Sequence, residues 1–259
     1  TPSHYVAVLT DITDTKMHEV LQHRVLEALV QERPLIEVMT LICTEVERIA
    51  PEVLAAVMSA DNQGRLHSLA APSLPPEYAD AVNGLKIGPG TGACGTAAWR
   101  GRAVMVEDIA TDPLFEAYRD TLLPWGLRAC WSTPIRSNSA RVLGTFALYY
   151  RKPQRADAWH MRLTDLCQQL CTLALEREQI RQRVHQLAFY DTLTGLPNRI
   201  MFSARAEQAL TQAEYAGEPA ALMFINIDRF KLINESMGHV AGDALLRDIA
   251  LRINNQHTA

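Results

Sequence analysis

The spacing of hydrophobic residues predicts two helices near the start of the chain, followed by a β-rich region. Residues 14–32 have helical periodicity, and Pro34 opens a second helix with one apolar stripe. The stripe recurs at steps of four and three residues, at Leu35, Met39, Ile42, Val46 and Ile49. Short apolar runs then alternate with turn residues, as in "VLAAVMSAD" and "RLHSLAA" around "NQG". Hairpins between helices are typical of an antiparallel sheet with helices packed on it.

A long helix with a heptad-like stripe is predicted to begin at Asp157. The stripe has one polar member and consists of Leu163, Leu166, Leu170, Leu173, Arg177, Ile180, Val184 and Leu187. Such stripes occur both on helices that pack on their own domain and on the paired helices of coiled coils. Because the stripe runs past the β-rich region, with charged residues between its later positions, we favour a coiled coil. The prediction is a homodimer through residues 163–187.

The two ends of the chain have the patterns of incomplete domains. Residues 1–13 predict a single strand, which is not stable alone and is expected to end a preceding domain. From about 199 onwards the pattern predicts a helix, a loop, one strand at about 220–227 and two more helices. One strand and its helices do not close a hydrophobic core. The predicted fold class is α+β: an antiparallel sheet with flanking helices, a long linker helix and an incomplete α/β segment.

Composition and charge limit the classes of binding partner that the protein is expected to have. Hydrophobic residues make up 48% of the chain and charged residues 21%, and the formal net charge is −4. Without a basic surplus, nucleic acid is not expected as a partner. The apolar runs of the sequence are too short to span a bilayer, but the chain does not begin with Met, which leaves upstream membrane segments open. Five scattered cysteines predict reduced thiols and a cytoplasmic location.

Two long stretches of the sequence resemble known families. The segments "FYDTLTGLPNR" (189–199) and "NIDRFKLINESMGHVAGDALL" (226–246) strongly resemble the N-terminal half of a GGDEF domain, which has the diguanylate cyclase fold. The stretch from "GPGTGACGTAAW" to "ACWSTPI" (88–135), followed by "VLGTFALYYRKP" (142–153), resembles a GAF domain, a sensor module. The whole chain is similar to bacterial PAS–GAF–GGDEF signalling proteins, in which an EAL phosphodiesterase domain often follows.

The resemblance implies a division of the chain into domains. Residues 1–13 would be the last strand of a PAS-like domain, and residues 14–24 a connecting helix. A GAF-like sensor domain is expected at 25–178, with its C-terminal helix continuing as a coiled-coil linker to 188. Residues 189–259 would be the N-terminal part of a GGDEF-like domain.

The motif that names the GGDEF family would lie beyond Ala259, so the chain as given is not expected to make cyclic di-GMP. In the family, the pattern at the end of the strand is Asp-x-Asp-x-Phe-Lys. Here these six positions are Asn226, Ile227, Asp228, Arg229, Phe230 and Lys231. Asp228 would still offer a carboxylate to a cation such as Mg2+, whereas Asn226 offers only a neutral carbonyl oxygen. The metal site is therefore expected to be degenerate.

The same resemblance implies a site for GTP or cyclic di-GMP. Asn234 and Asp243 match the positions that contact guanine in the family, and an amide and a carboxylate suit the donors and acceptors of that base. Lys231 would lie near the phosphates, beside Phe230. The alternative is that Asn234 is a residue of a helix surface and Asp243 a helix cap.

A GAF-like domain implies a pocket for a small molecule whose identity the sequence does not reveal. The residues predicted to line it are Cys94, Phe115, Tyr118, Trp125, Arg128, Cys130 and Trp131. The alternative is that the aromatic residues are core, that Arg128 faces solvent and that both thiols are inert. Haem would need a histidine, and His67 is the one candidate in the sheet region, so haem is not expected.

Three functional hypotheses remain at this point. In the first, a GAF-type sensor controls a cyclic di-GMP enzyme through a dimeric helix. In the second, the chain is part of an active diguanylate cyclase whose catalytic half is missing. In the third, the GAF-like part binds no ligand and acts as a scaffold for dimerisation or interaction.

Overall fold

The computed structural model describes residues 13–256, and the side chains of residues 16–255. The chain divides into two compact units at the boundary between Glu178 and Gln179. Apart from Thr13, the predicted strand at 1–13 lies outside the described residues. Among the helices that the structure describes, none combines the length and the apolar character that a membrane span requires.

The first unit consists of a sheet and the helices around it. In chain order its elements are α1 (Thr13–Val30), α2 (Leu35–Ile49), β1 (Val53–Ala60), β2 (Arg65–Ala70), α3 (Pro76–Val82), β3 (Leu85–Lys86), α4 (Gly92–Arg100), β4 (Val104–Val106), α5 (Arg119–Leu122), β5 (Ala129–Arg136), β6 (Val142–Tyr150) and α6 (Ala158–Phe189). Single turns of 3-10 helix lie on either side of α5, at Pro113–Phe115 and Leu123–Trp125. The last turns of α6 belong to the second unit.

The six strands form one sheet in the order β3-β2-β1-β6-β5-β4, and every neighbouring pair is antiparallel. Hairpins β1–β2 and β5–β6 are joined where β1 pairs with β6, from Val53 opposite Tyr150 to Ser59 opposite Gly144. The predicted antiparallel sheet with flanking helices is therefore confirmed.

Each face of the sheet has its own hydrophobic core, because side chains alternate between the two faces along a strand. On one face, α1, α2 and α6 pack against residues such as Phe146 and Leu148. On the other face, α4 and the segment around α5 cover Ala147 and Tyr149. The stripe predicted on α2 is buried against the first of these cores, with Met39 fully inaccessible to solvent.

Helix α6 is divided into a buried and an exposed part. Leu163 and Leu170 are buried in the core of the first unit, and Leu166 packs against it. The prediction that the whole stripe from 163 to 187 pairs with a second chain is therefore wrong for its first members, because the sheet of the same chain already covers them. Four later members of the stripe have exposed fractions between 45% and 64%: Leu173, Ile180, Val184 and Leu187.

The second unit is helical among the described residues. It contains α7 (Arg199–Ala216), α8 (Phe230–Met237) and α9 (His239–Gln256). Asn198 caps α7, since its side-chain oxygen accepts hydrogen bonds from the backbone N–H groups of Ile200 and Met201.

The strand predicted at about 220–227 is not formed. This segment has no regular secondary structure, and no neighbouring strand pairs with it in the part of the chain that the structure describes. Its apolar side chains are exposed by 60–88%: Leu222, Met223, Phe224 and Ile225. A strand needs a partner for its backbone hydrogen bonds, so a β pattern in the sequence is not sufficient to form one.

Candidate functional site

A cavity of about 50 Å3 lies between α4, α3, the segment around α5 and the sheet. Its wall is formed by Met58, Ala81, Val82, Leu85, Gly92, Ala93, Cys94, Phe115, Tyr118, Thr121, Leu122 and Tyr149. Helix α4 has the sequence "GACGTAAWR", whose small residues allow the helix to approach the sheet closely. The rings of Phe115 and Tyr118 lie beside Gly92, so aromatic side chains form the cavity wall near the start of α4.

Three of the seven predicted pocket residues line this cavity: Cys94, Phe115 and Tyr118. Cys130 is fully buried in the same core, beneath the cavity wall. Trp125 packs near the cavity instead, with its ring edge-on to Tyr78 at a centroid distance of 6.3 Å.

The other two predicted pocket residues lie elsewhere. Arg128 forms an ion pair with Asp108, with 3.2 Å between the guanidinium Nη2 and the carboxylate Oδ1, and it does not line the cavity. Trp131 is buried in the core on the opposite face of the sheet, because it directly follows Cys130 on β5. The wall of the cavity therefore contains no charged side chain.

Tyr149 was missed by the sequence analysis, although it lines the cavity. Its phenol oxygen lies 3.1 Å from that of Tyr78, and the two rings pack edge to face. In the sheet Tyr149 pairs directly with Cys130, which places both side chains on the same face. The alternation along "VLGTFALYY" was a signal for this face, but the register that aligns the two strands is not contained in either segment alone.

The thiols of Cys94 and Cys130 interact at the inner end of the cavity. A hydrogen bond from the Cys130 thiol is the main cause that lowers the pKa of Cys94 to about 7, and burial opposes it. The side chains of Ser132, Thr145 and Tyr149 lower the pKa of Cys94 further. Burial raises the pKa of Cys130 well above its usual range, so Cys94 is the more acidic thiol of the pair.

His67, the one histidine considered for haem, does not line the cavity. Its Nε2 lies 2.9 Å from Asp61 Oδ2, and its Nδ1 lies 2.8 Å from Asn83 Oδ1. Both ring nitrogens thus have polar partners in the surface region between the β1–β2 turn and the end of α3. The Asp61 carboxylate is the main cause that raises the pKa of His67.

In the second unit, two of the predicted nucleotide residues, Phe230 and Asn234, lie where α8 packs against α9. The side-chain oxygen of Asn234 lies against Gly242, at a point where a Cβ atom would collide with it, and the Phe230 ring borders the same point. Asp243 follows Gly242 on α9 and is half-buried. A glycine at position 242 therefore permits the close approach of the Asn234 side chain to α9.

The remaining predicted residues of this unit are exposed. Lys231 extends toward Glu235 one turn later, with 3.7 Å between its Nζ and the carboxylate Oε1. Asn226 and Asp228 are both solvent-exposed on the segment before α8. No group of three or more His, Cys, Asp or Glu side chains that could hold a metal ion occurs among the described residues. One carboxylate and one neutral amide do not by themselves form a metal site.

Two protein families match the chain. The GAF domain family matches residues 34–175. The family described as "Diguanylate cyclase, GGDEF domain" matches residues 188–258.

Individual relatives match parts of the chain. The Methyl sulfide methyltransferase-associated sensor of Methanosarcina acetivorans is 36% identical over 68% of this chain and 18% of its own length. Diguanylate cyclase TpbB of Pseudomonas aeruginosa is 39% identical over 39% of this chain and 20% of its own length. Cyclic di-GMP phosphodiesterase NbdA of the same species is 33% identical over 50% of this chain and 16% of its own length. The chain thus spans at most a fifth of the length of these relatives.

Solved structures share the fold of the first unit. The GAF domain of a phosphoenolpyruvate-protein phosphotransferase from Coxiella burnetii has a TM-score of 0.53 at 15% identity, over 66% of this chain and 98% of that structure. Free methionine-R-sulfoxide reductase from Neisseria meningitidis has a TM-score of 0.51 at 15% identity, over 69% of this chain and 99% of that structure. At this level of identity the likeness concerns the fold alone.

Proposed function

Since the chain belongs to the GAF domain family over residues 34–175 and continues into a GGDEF domain over residues 188–258, we propose that it is the sensor region of a protein that controls cyclic di-GMP turnover. In this proposal the GAF cavity receives the signal, α6 transmits it, and the GGDEF domain, with any EAL domain that follows, produces the response. Relatives named as a diguanylate cyclase and as a cyclic di-GMP phosphodiesterase support such an output.

The observation that carries the proposal is the continuity of α6 from Ala158 to Phe189. Its first part is buried in the sensor core through Leu163 and Leu170, so a rearrangement of that core must act on the helix. The same helix leads directly into the GGDEF domain. Packed helices of this kind transmit signals by small shifts between discrete arrangements.

The proposed dimer uses only the later part of α6. Ile180, Val184 and Leu187 recur at steps of four and three residues and are exposed by 51–64% in a single chain. In a parallel pair of helices these side chains would meet along one seam. A change in the crossing angle or the register of the two paired helices would alter how the two GGDEF domains of the dimer meet.

The cavity is proposed to bind a small, uncharged molecule. Its wall is mainly apolar and has no charged side chain, whereas Arg128, which was expected to meet an anion, is paired with Asp108. Because an apolar wall does not compensate the loss of hydration of an ion, a neutral ligand is favoured.

The output domain is proposed to bind a guanine nucleotide and to be weak as a cyclase. The proposal is supported by the sequence match of Asn234 and Asp243 to the guanine-contacting positions of the family, and Asn234 contacts Gly242, the residue that precedes Asp243 on α9. GGDEF domains use Mg2+, and Asn226 supplies a neutral oxygen where a carboxylate would attract the cation. Asp228 would remain as a ligand, together with oxygens of the bound nucleotide.

The relay through α6 can be tested by changing the phase of the helix in the longer protein that includes the complete output. An insertion of two residues between Gln182 and Arg183 rotates the following domain by about 200°, whereas seven residues leave it within about 20° of its original phase. We expect the seven-residue insertion to keep the wild-type turnover of GTP or cyclic di-GMP and the two-residue insertion to change it severalfold. Equal turnover in both variants would contradict a relay through this helix.

A further inference from the structure

The N-terminal turn of α4 places one thiol where a negative charge is favoured. Cys94 is the third residue of this nine-residue helix, and it lines the cavity. Backbone N–H groups in the first turn of a helix have no partner within the helix, and the helix dipole is positive there. A thiol in this position is stabilised as the thiolate, which is its nucleophilic form.

The sheet beneath Cys94 supplies hydroxyl groups that have no other partner. Ser132 and Thr145 are fully buried, and neither hydroxyl makes a hydrogen bond of ordinary geometry. Both nevertheless act on the Cys94 sulfur and lower its pKa. Buried hydroxyl groups without partners are unfavourable, and an anionic sulfur would give both of them an acceptor. The ionised state of Cys94 is therefore the state that best satisfies this part of the core.

Cys130 lies next to Cys94 on the same side of the sheet. Both residues belong to the same buried core, and the Cys130 thiol is the main cause that lowers the pKa of Cys94. The other three cysteines are buried in the core on the opposite face, away from the cavity, and burial raises the pKa of each: Cys43, Cys167 and Cys171. The three also lie near one another, so within one chain Cys94 differs from these internal controls in acidity and in access to the cavity.

The size of the cavity limits the molecules that can reach the Cys94 sulfur. Its volume of about 50 Å3 accommodates only a few water-sized groups, at roughly 10–15 Å3 for each. A molecule with two heavy atoms, such as hydrogen peroxide, fits this space. The apolar wall, with Met58 and Phe115, suits an uncharged reactant better than an ionic one.

We propose that Cys94 is a peroxide-reactive thiol of the GAF cavity and that Cys130 closes the oxidised form into a disulfide. The proposal deepens the sensing role proposed above and rests on it, since it names hydroperoxides as the chemical class of the signal. Oxidation would link α4 covalently to β5, within the domain whose core holds the first half of α6.

The chemistry balances with the peroxide as the only oxidant. The Cys94 thiolate attacks one peroxide oxygen, the O–O bond breaks, sulfenic acid forms, and hydroxide leaves and takes up a proton to become water. The Cys130 sulfur, after losing its proton, attacks the sulfenic sulfur, the S–S bond forms, and the sulfenic oxygen leaves as water. Overall, two thiols are oxidised to one disulfide and one hydrogen peroxide is reduced to two water molecules.

The test uses the 259-residue chain with hydrogen peroxide as the probe and mass spectrometry as the readout. We expect the wild-type chain to lose two hydrogen atoms and to yield a peptide pair linked through Cys94 and Cys130. Cys130→Ser retains a hydroxyl donor but cannot form the disulfide, so Cys94 in this variant should be trapped by dimedone as a sulfenic acid. In that variant, trapping at Cys94 should be at least tenfold faster than at Cys167 or Cys171.

Several results would overturn the proposal. Equal trapping at Cys94 and Cys167 would show that Cys94 is not a special thiol, and this comparison within one chain does not depend on the folding of a second variant. A wild-type chain that keeps five free thiols would exclude the oxidation. A stable dimedone adduct on wild-type Cys94 without the disulfide would exclude the role of Cys130. None of these readouts involves turnover, so their failure is distinct from a failure of the relay through α6.

Discussion

Cys130 and Trp131 are consecutive residues of β5, and their side chains lie in two different hydrophobic cores on opposite faces of the sheet. Cys130 lies beneath the cavity, whereas Trp131 packs in the core that contains α6. Cys130 thus lies beneath the cavity that is proposed to receive the signal, and Trp131 lies in the core that contains the helix proposed to transmit it.

Replacement of Trp131 should lower the stability of the fold without changing the reactivity of Cys94 in the cavity. We expect Trp131→Ala to lower the free energy of unfolding by about 3–5 kcal/mol, since a large buried side chain is lost and a cavity remains. The alkylation rate of Cys94 in the folded variant should stay within about twofold of the wild type, because Trp131 does not line its cavity. Urea denaturation and the modification rate measured below the unfolding transition check these two expectations. A tenfold change in that rate would contradict the separation of the two faces.

The buried hydroxyls near Cys94 should control the pH dependence of its reactivity. Because the pKa of Cys94 is lowered to about 7, its alkylation rate should rise with pH through a midpoint near 7 as the thiolate fraction increases. Ser132→Ala and Thr145→Val each remove a donor that stabilises the thiolate, so either change should move the midpoint to higher pH.

Thr133→Val is the matched control for this experiment. Thr133 is also buried without a hydrogen-bond partner, but it follows Ser132 on β5 and therefore belongs to the opposite face. Its replacement should leave the midpoint of the alkylation profile unchanged. If Ser132→Ala and Thr133→Val shift the midpoint of the alkylation profile equally, these hydroxyls affect it through the stability of the fold and not through contact with the Cys94 sulfur.

The exposed part of α6 should determine the oligomeric state. We expect Val184→Asp to convert a dimer into a monomer, because it places like charges opposite each other in the proposed apolar seam. Gln186→Asp adds the same charge beside the stripe, on an exposed position of the same helix, and should leave the dimer intact. Sedimentation equilibrium over a range of concentrations distinguishes these outcomes. A wild-type chain that stays monomeric at high concentration would refute the proposed seam.

A carboxylate at position 226 should improve cation binding in the complete output domain. In the longer protein, Asn226→Asp is expected to raise the rate of cyclic di-GMP synthesis by about tenfold or more, which corresponds to about 1.4 kcal/mol of transition-state stabilisation. The double change Asn226→Asp with Asp228→Asn keeps the number of carboxylates at one and should lose most of that gain. Unchanged synthesis in the single variant would favour a cyclase that functions with Asn226.

Local patterns along the chain were sufficient for the fold class and for most elements of the first unit. The stripe on α2 and the alternating runs of β1, β2, β5 and β6 are properties of short segments, because periods of 3.6 and 2 residues are imposed by the backbone itself. Cys94, Phe115 and Tyr118, which the resemblance of these segments to the GAF family predicted as pocket residues, line the cavity, and their role in binding stays a prediction.

Other features depend on segments that are distant in sequence. The register between β5 and β6 decides that Tyr149 joins Cys130 in one core while Trp131 is assigned to the other. The pairing of Arg128 with Asp108, twenty residues away, removes the expected cation from the cavity.

The sequence by itself therefore determined which segments are helices and strands of a GAF domain, and which residues of a GGDEF domain follow. Only the tertiary structure decided which part of the α6 stripe is covered by its own domain, because Leu163 and Ile180 have the same apolar character and differ only in what packs against them. It likewise showed that 220–227 does not form a strand without a neighbour. Periodicity is a property of one segment, whereas burial and strand pairing need two.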